Sequence, residues 1–277
     1  MDEGSVRREV VWAGPEGARR GEDFVVVEEP LEIRIGKVSV VVTMRTPGHD
    51  AELAAGFLLG EGVVSSGAEI EELSHCDDPG RPESRGNILV ARLAPSATVD
   101  LDRLRRNFYA TSSCGICGKA SIEQVRQRCR PARAQGPRQP VEASVLGGLP
   151  DRLLAAQGVF SRTGGLHAAG LFDSRGNLLC AREDVGRHNA VDKAVGWMVL
   201  QGRPEGEAAI LLVSGRASFE IVQKALAAGI GVVAAVSAAS SLAVDLARES
   251  GMTLVGFLRA GRWVVYTGEE GIGSVPV

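Results

Sequence analysis

A chain of 277 residues can form one large domain or two modest ones. Its net charge of −3 and 4% aromatic content exclude a surface that coats nucleic acid or stacks bases along its length. No window approaches the roughly 20 apolar residues of a membrane helix, and the polar stretch Met1 to Arg20 lacks the apolar core of a secretion signal, so no membrane association and a cytoplasmic location are expected. The five cysteines, Cys76, Cys114, Cys117, Cys129 and Cys180, are odd in number and unevenly spaced, which points to reduced thiols rather than a disulfide framework.

Leu31, Ile33 and Ile35 alternate with Glu32 and Arg34 ahead of Gly36-Lys37 and a Val-rich run, which predicts a β-hairpin between Phe24 and Met44. Pro47-Gly48 breaks the second strand, and Leu53, Ala54, Phe57 and Leu58 recur at helical spacing up to Gly60-Glu61-Gly62. Asn87 to Leu93 reads as a further strand. The small residues from Tyr109 to Gly118 make a loop, and Lys119 to Arg128, free of Gly and Pro, continues it as a helix. The Pro-, Arg- and Gln-rich stretch Arg130 to Pro140 is a linker, which divides a smaller β-rich domain over 20–130 from a second domain over 141–270.

In the second half, strands over Gly165 to Phe172 and Leu178 to Ala181 flank the turn Asp173 to Asn177, and a helix follows from His188 to Leu200. Strands at Ala209 to Val213, Ile230 to Ser237 and Met252 to Leu258 then alternate with helices at Ala217 to Ala228 and Ser241 to Glu249. A last strand, Arg262 to Thr267, returns through a hairpin at Ala260-Gly261. This alternation predicts an α/β class, of two-domain α+β build, with a parallel or mixed sheet covered by helices.

Two thiols stand two residues apart in Cys114-Gly115-Ile116-Cys117-Gly118-Lys119, where a loop enters a helix. Unpaired amides at a helix start and the charge of Lys119 favour the thiolate, and the flanking glycines admit a partner sulfur in line. A lone Cys-x-x-Cys does not fix the sulfur chemistry. Half of a zinc site is one alternative, although the nearest extra pair, His75-Cys76, has no knuckle spacing. A thioredoxin-like redox site is another, although there the pair follows the first strand of a βαβ unit. Cys129 and Cys180 read as buried structural thiols.

Ser214-Gly215-Arg216 joins a strand to a helix and offers amides, a hydroxyl and a cation to a phosphate. Ser237 to Ser241 repeats the arrangement one unit later, although small residues there also serve as simple caps. Neither a P-loop nor a Gly-x-Gly-x-x-Gly fingerprint is present. The turn Phe257-Leu258-Arg259-Ala260-Gly261-Arg262 carries two cations and suits a phosphate or pterin edge, or a solvated hairpin. Arg182 to Asn189 is dense in polar groups, and a carboxylate there is a candidate acceptor for guanine, with capping and ion pairing as the alternative. His167 sits among small residues at a strand start, facing a site or satisfied in the core.

Arg45-Thr46-Pro47-Gly48-His49-Asp50, Ser113 to Ala120, Thr163 to His167, Arg182 to Asn189 and Ser214-Gly215-Arg216, in that order over almost the whole chain, resemble the formate dehydrogenase accessory sulfurtransferase (FdhD) family. The resemblance implies a cytoplasmic homodimer that takes sulfur from a cysteine desulfurase and passes it to the molybdenum or tungsten bis-guanine-dinucleotide cofactor of the formate dehydrogenase catalytic subunit. Cys114 would carry the persulfide and Cys117 would assist. The cofactor would meet Phe257 to Arg262, and Ser214, Gly215, Arg216 and His167 complete the candidate pocket; no resident metal is implied. The second domain would take a cytidine-deaminase-like three-layer fold. Deamination itself is disfavoured, because His188-Asn189-Ala190 lacks the glutamate of His-x-Glu and the cysteine pair lies upstream of that helix. Two other classes stay open: a chaperone that only binds the cofactor, and a structural zinc protein.

Overall fold

A computed structural model describes residues 4–76, 85–97, 140–203 and 207–273. The chain opens with a two-stranded antiparallel ribbon, β1 (Ser5–Gly14) and β2 (Gly17–Val26), in which Arg7 covers Phe24 and Arg19 covers Trp12. Phe24 therefore belongs to an earlier hairpin than the expected one. Both ribbon faces are largely open to solvent, so charged residues fill them without the alternation that marks a half-buried strand.

The expected hairpin itself is β3 (Glu29–Ile35) and β4 (Val38–Arg45), turning at Gly36 with φ of 56°. With β5 (Ile70–His75) and β6 (Ile88–Leu93) it makes a four-stranded sheet, order β4-β3-β6-β5, in which β3 and β6 run parallel. Leu31, Ile33 and Leu89 on this sheet bury against Leu53 and Ala54 of α1 (Asp50–Gly60).

The remaining strands among the described residues form one mixed sheet of six: β7 (His167–Phe172), β8 (Leu178–Asp184), β9 (Ile210–Val213), β10 (Val232–Ala235), β11 (Thr253–Arg259) and β12 (Arg262–Thr267), in the order β12-β11-β10-β9-β7-β8. Strands β9, β10 and β11 are parallel, whereas β7 runs against β9. Alternate residues of β9 enter different cores: Ile210 and Leu212 join Leu146, Leu149 and Leu153 of α2 (Ala143–Ala155), and Leu211 and Val213 face the opposite layer. That opposite layer holds α4 (Arg187–Leu200), α5 (Phe219–Ala227) and α6 (Ser241–Glu249). The result is helix, sheet, helices: the three-layer α/β architecture. A short helix α3 (Phe160–Thr163) leads into β7.

Helix α2 escapes sequence reading because Gly147-Gly148-Leu149-Pro150 resembles a break. Burial of three leucines along one face outweighs the missing amide of Pro150. The loop and helix expected over Tyr109 to Arg128 and most of the linker lie outside the described residues. Among the described residues no helix is long and apolar enough to cross a membrane.

Helices α1 and α4 cross with their backbones in contact. A methyl group on Gly56 would land on the carbonyl of Asp192, and one on Gly196 on the carbonyl of Glu52. In an exposed helix, alanine in place of glycine stabilises by about 1 kcal/mol. Here Gly56→Ala and Gly196→Ala should each destabilise instead, by about 2 kcal/mol or more, because neither backbone can withdraw without opening the core. Urea unfolding midpoints will show the sign.

Candidate functional site

The parallel run of β9, β10 and β11 places three strand ends on one edge of the sheet, where open α/β sheets bind ligands. Because β7 is antiparallel to β9, its first residue, His167, arrives at the same edge. The loop Ser214-Gly215-Arg216 follows β9 and is stitched to both neighbours. Ser214 N donates to Ala168 O, Ala168 N donates to Ser214 Oγ at 2.9 Å, and Ser237 N donates to Gly215 O. Ser237 O in turn accepts from Phe257 N at 2.9 Å. His167 and Phe257 thus bound an edge three strand spacings wide, roughly 14 Å.

A Cβ added at Gly215 would sit 3.4 Å from His167 Nδ1 and 3.9 Å from Arg187 Cδ, ordinary contact distances that place the imidazole and the Arg187 side chain beside the loop. Arg187 opens α4, and its Nε is buried with no hydrogen-bond partner among the described residues. A buried donor of that kind costs about 1–3 kcal/mol until an acceptor meets it. Arg216, exposed, is the second cation near His167. Burial, and then the charges of Arg187 and Arg216, push His167 below the ordinary imidazole range, against a smaller upward pull from Asp184. The edge therefore offers two guanidiniums and a neutral ring: a site for an anion with hydrogen-bonding edges.

Phe257 adds an exposed ring held at φ of 51°. A bulky residue in the left-handed region is strained, and its ring is presented at the edge rather than buried. Beyond it, Leu258 is buried in the core under α2, while Arg259 and Arg262 pair in register at the exposed hairpin. Gly261 of that hairpin faces Gly147 of α2, with Ala260 exposed at the turn. The structure thus gathers His167, Ser214, Gly215, Arg216 and Phe257 along the edge, and sets Arg259 to Arg262 at its far end. Cys114 and Cys117 lie outside the described residues.

The carboxylates of Arg182 to Asn189 are already committed. Glu183 accepts from the amides of Val159 and Phe160 at 3.0 and 2.7 Å. Asp184, wholly buried, accepts from Thr46 N, Gly186 N, Asn189 Nδ2 and Lys193 Nζ. Neither is open to a guanine edge, so the capping and ion-pairing alternative holds. Ser240 likewise caps α6 by accepting from Ala243 N. Cys180 is buried, and burial pushes its thiol up to about 12, consistent with an inert structural cysteine. The residue that sequence reasoning left without a site role is Arg187, which stands inside the charged run Arg182 to Asn189.

His188 lies behind Arg187, 3.0 Å from Glu220 Oε2 and 3.1 Å from Ser218 Oγ. Burial, and then Arg187, Lys224 and His167, push it down to about 3, so the contact with Glu220 is a hydrogen bond from a neutral ring rather than an ion pair. Between that value and the ordinary value of about 6.5 the unfolded chain binds a proton that the folded chain does not, and stability therefore falls as pH falls through this window. His188→Gln should remove about 2 kcal/mol of the loss between about pH 7 and about pH 5, measured by urea unfolding at each pH.

A family model for the FdhD/NarQ family matches residues 26–273. The sulfur carrier protein FdhD of Streptomyces avermitilis is 51% identical over 267 residues, covering 96% of this chain and 95% of that one. The sulfur carrier protein FdhD of Mycolicibacterium paratuberculosis is 53% identical over 253 residues, covering 91% and 92%. The crystal structure of a formate dehydrogenase accessory protein from Desulfotalea psychrophila superposes with a TM-score of 0.76 at 25% identity, covering 97% of this chain and 99% of that one. The motifs, the three-layer fold and these matches agree, and the chain belongs to the FdhD/NarQ family.

Proposed function

We propose that this protein is a sulfur carrier: Cys114 takes sulfur from a cysteine desulfurase as a persulfide, with Cys117 assisting, and delivers it to a molybdenum or tungsten bis-guanine-dinucleotide cofactor destined for formate dehydrogenase. The relatives named sulfur carrier protein support the sulfur chemistry. The cofactor is the substrate here, and the observation that carries its binding is the sheet edge, where Arg187 Nε is buried without an acceptor among the described residues, beside Arg216 and a neutral His167. A phosphate oxygen would satisfy that donor. Phe257 offers a flat face for a base, and the spacing to His167 suits a nucleotide lying along the edge. The protein's own chemistry is a thiolate displacement: Cys114 attacks the terminal sulfur of a donor persulfide, one S–S bond forms as another breaks, and the donor leaves as a thiolate. A homodimer and a cytoplasmic location belong to the same proposal.

Intact-mass analysis after incubation with a desulfurase and cysteine should show a thiol-reversible gain of one sulfur, lost in Cys114→Ala. Full sulfur occupancy in that variant would overturn the assignment. A protein that only holds the cofactor would instead restore formate dehydrogenase activity with Cys114→Ala and Cys117→Ala combined. In calorimetry with guanosine diphosphate, Arg187→Ala and Arg216→Ala should each weaken binding about tenfold, as expected for one charge-assisted hydrogen bond. Unchanged affinity in both would move the nucleotide away from this edge.

A further inference from the structure

A second concavity, a cleft of about 590 Å³, opens at the start of α1, away from the sheet edge. Its rim is set by Pro47-Gly48-His49. Gly48 and His49 both have positive φ, 97° and 60°, and His49 is the residue immediately before α1. Its side chain makes no capping bond and is 54% exposed. A non-glycine residue kept in the left-handed region without a capping role is strain held for some other purpose. His49 Nδ1 turns towards Glu52 Oε2 at 3.4 Å, and among the described residues Nε2 is the ring nitrogen left for a ligand.

Glu52 is itself fixed by a two-point ion pair with Arg182 of β8. Burial raises its affinity for a proton, but the hydrogen bonds and charges of Arg182 and His49 outweigh that and hold it down to about 2. The carboxylate is therefore charged at any working pH, as in the carboxylate and histidine pairs that orient a general base. A second imidazole, His75 of β5, lies 3.5 Å from Asp50 Oδ2 in the same cleft.

The other charges argue against a phosphate in this cleft. The guanidinium of Arg45 is used up by Asp50 at 3.0 Å on two nitrogens, by Glu29 at 3.2 Å and by Asn87 at 3.0 Å. Arg85, also on the wall, already has a partner. What remains is a pocket with an oriented imidazole at a helix amino terminus, suited to a small, weakly acidic group whose anion the helix favours. A thiol fits that description.

We propose that the cleft receives a thiol or persulfide group, and that His49 is its proton-transfer residue, positioned by Glu52 and Arg182. This inference rests on the sulfur-carrier function proposed above. The thiol passes its proton to His49 Nε2, and the thiolate attacks the terminal sulfur of the donor persulfide. The donor's S–S bond breaks, and the imidazolium returns the proton to the departing thiolate. One S–S bond replaces another, so no oxidant or reductant is consumed.

The test measures sulfur loading of the whole protein by intact mass over time, with desulfurase and cysteine, between about pH 6 and pH 9. His49→Gly relieves the backbone strain and His49→Asn retains a residue that tolerates it, so both should fold, the glycine variant with an equal or higher melting temperature. Both should load at least tenfold more slowly near neutral pH. The variant rates should rise only through the thiol range, about 8.5, and converge there on the wild-type rate. Added imidazole should restore the glycine variant, and Glu52→Gln should lower the rate and shift the wild-type pH profile. Loading of both His49 variants at the wild-type rate, or a loss that imidazole does not restore, overturns the proposal while leaving the sulfur-carrier function intact. Absence of loading in the wild type overturns both.

Discussion

Asp184 is wholly buried at the end of β8, and four donors meet its two oxygens. Lys193 Nζ and the amide of Thr46 reach one oxygen; the amide of Gly186 and the side chain of Asn189 reach the other. Lys193 continues to the carbonyl of Thr46 at 2.7 Å, and Asn189 continues to the carbonyl of Met44 at 2.7 Å. An ion pair at that depth adds little net stability, because desolvating both charges offsets most of their attraction. Its value is positional. Removing one partner would strand the other charge in the core, at a cost of about 3–5 kcal/mol, so the end of β4 and the start of α4 are held in one arrangement.

Both concave features depend on that arrangement. The chain leaving β4 passes through Thr46 into Pro47-Gly48-His49 and sets the rim of the cleft, while the chain leaving Asp184 passes through Gly186 into Arg187 and sets the cationic end of the sheet edge. A single buried carboxylate thus fixes the origins of α1 and α4 together. The polar run Arg182 to Asn189 acts from behind the binding surface: only Arg187 turns to it, and the acids hold the scaffold.

The second half of the chain was legible because its strands are short apolar runs bounded by turn residues and its helices have one apolar face. Helix α6 and strand β12 have the limits expected from the pattern, and the other expected strands and helices differ from the observed ones by a few residues at their ends. The misses have physical causes. The β1-β2 ribbon carries charge on both faces and so shows no period, α2 hides behind Gly-Gly-Leu-Pro, and β5 is mostly exposed. Of the site, His167, Ser214, Gly215 and Arg216 could be named from small residues at strand ends. Arg187 could not, since the same run of charges serves equally as capping and ion pairing, and only the buried, unmet Nε separates one arginine from its neighbours. His49 stood inside a quoted motif, but its left-handed backbone has no signature in the residue type.

The crossing of α1 and α4 at Gly56 and Gly196 has no layer of side chains between the two backbones. Ordinary helix pairs slide or roll by repacking such a layer in small steps. Without one, these two helices behave as a single strut, with the cleft at the head of one and the sheet edge at the head of the other. The interval between the two sites is then a fixed ruler, and any molecule that engages both must match its length rather than draw them together.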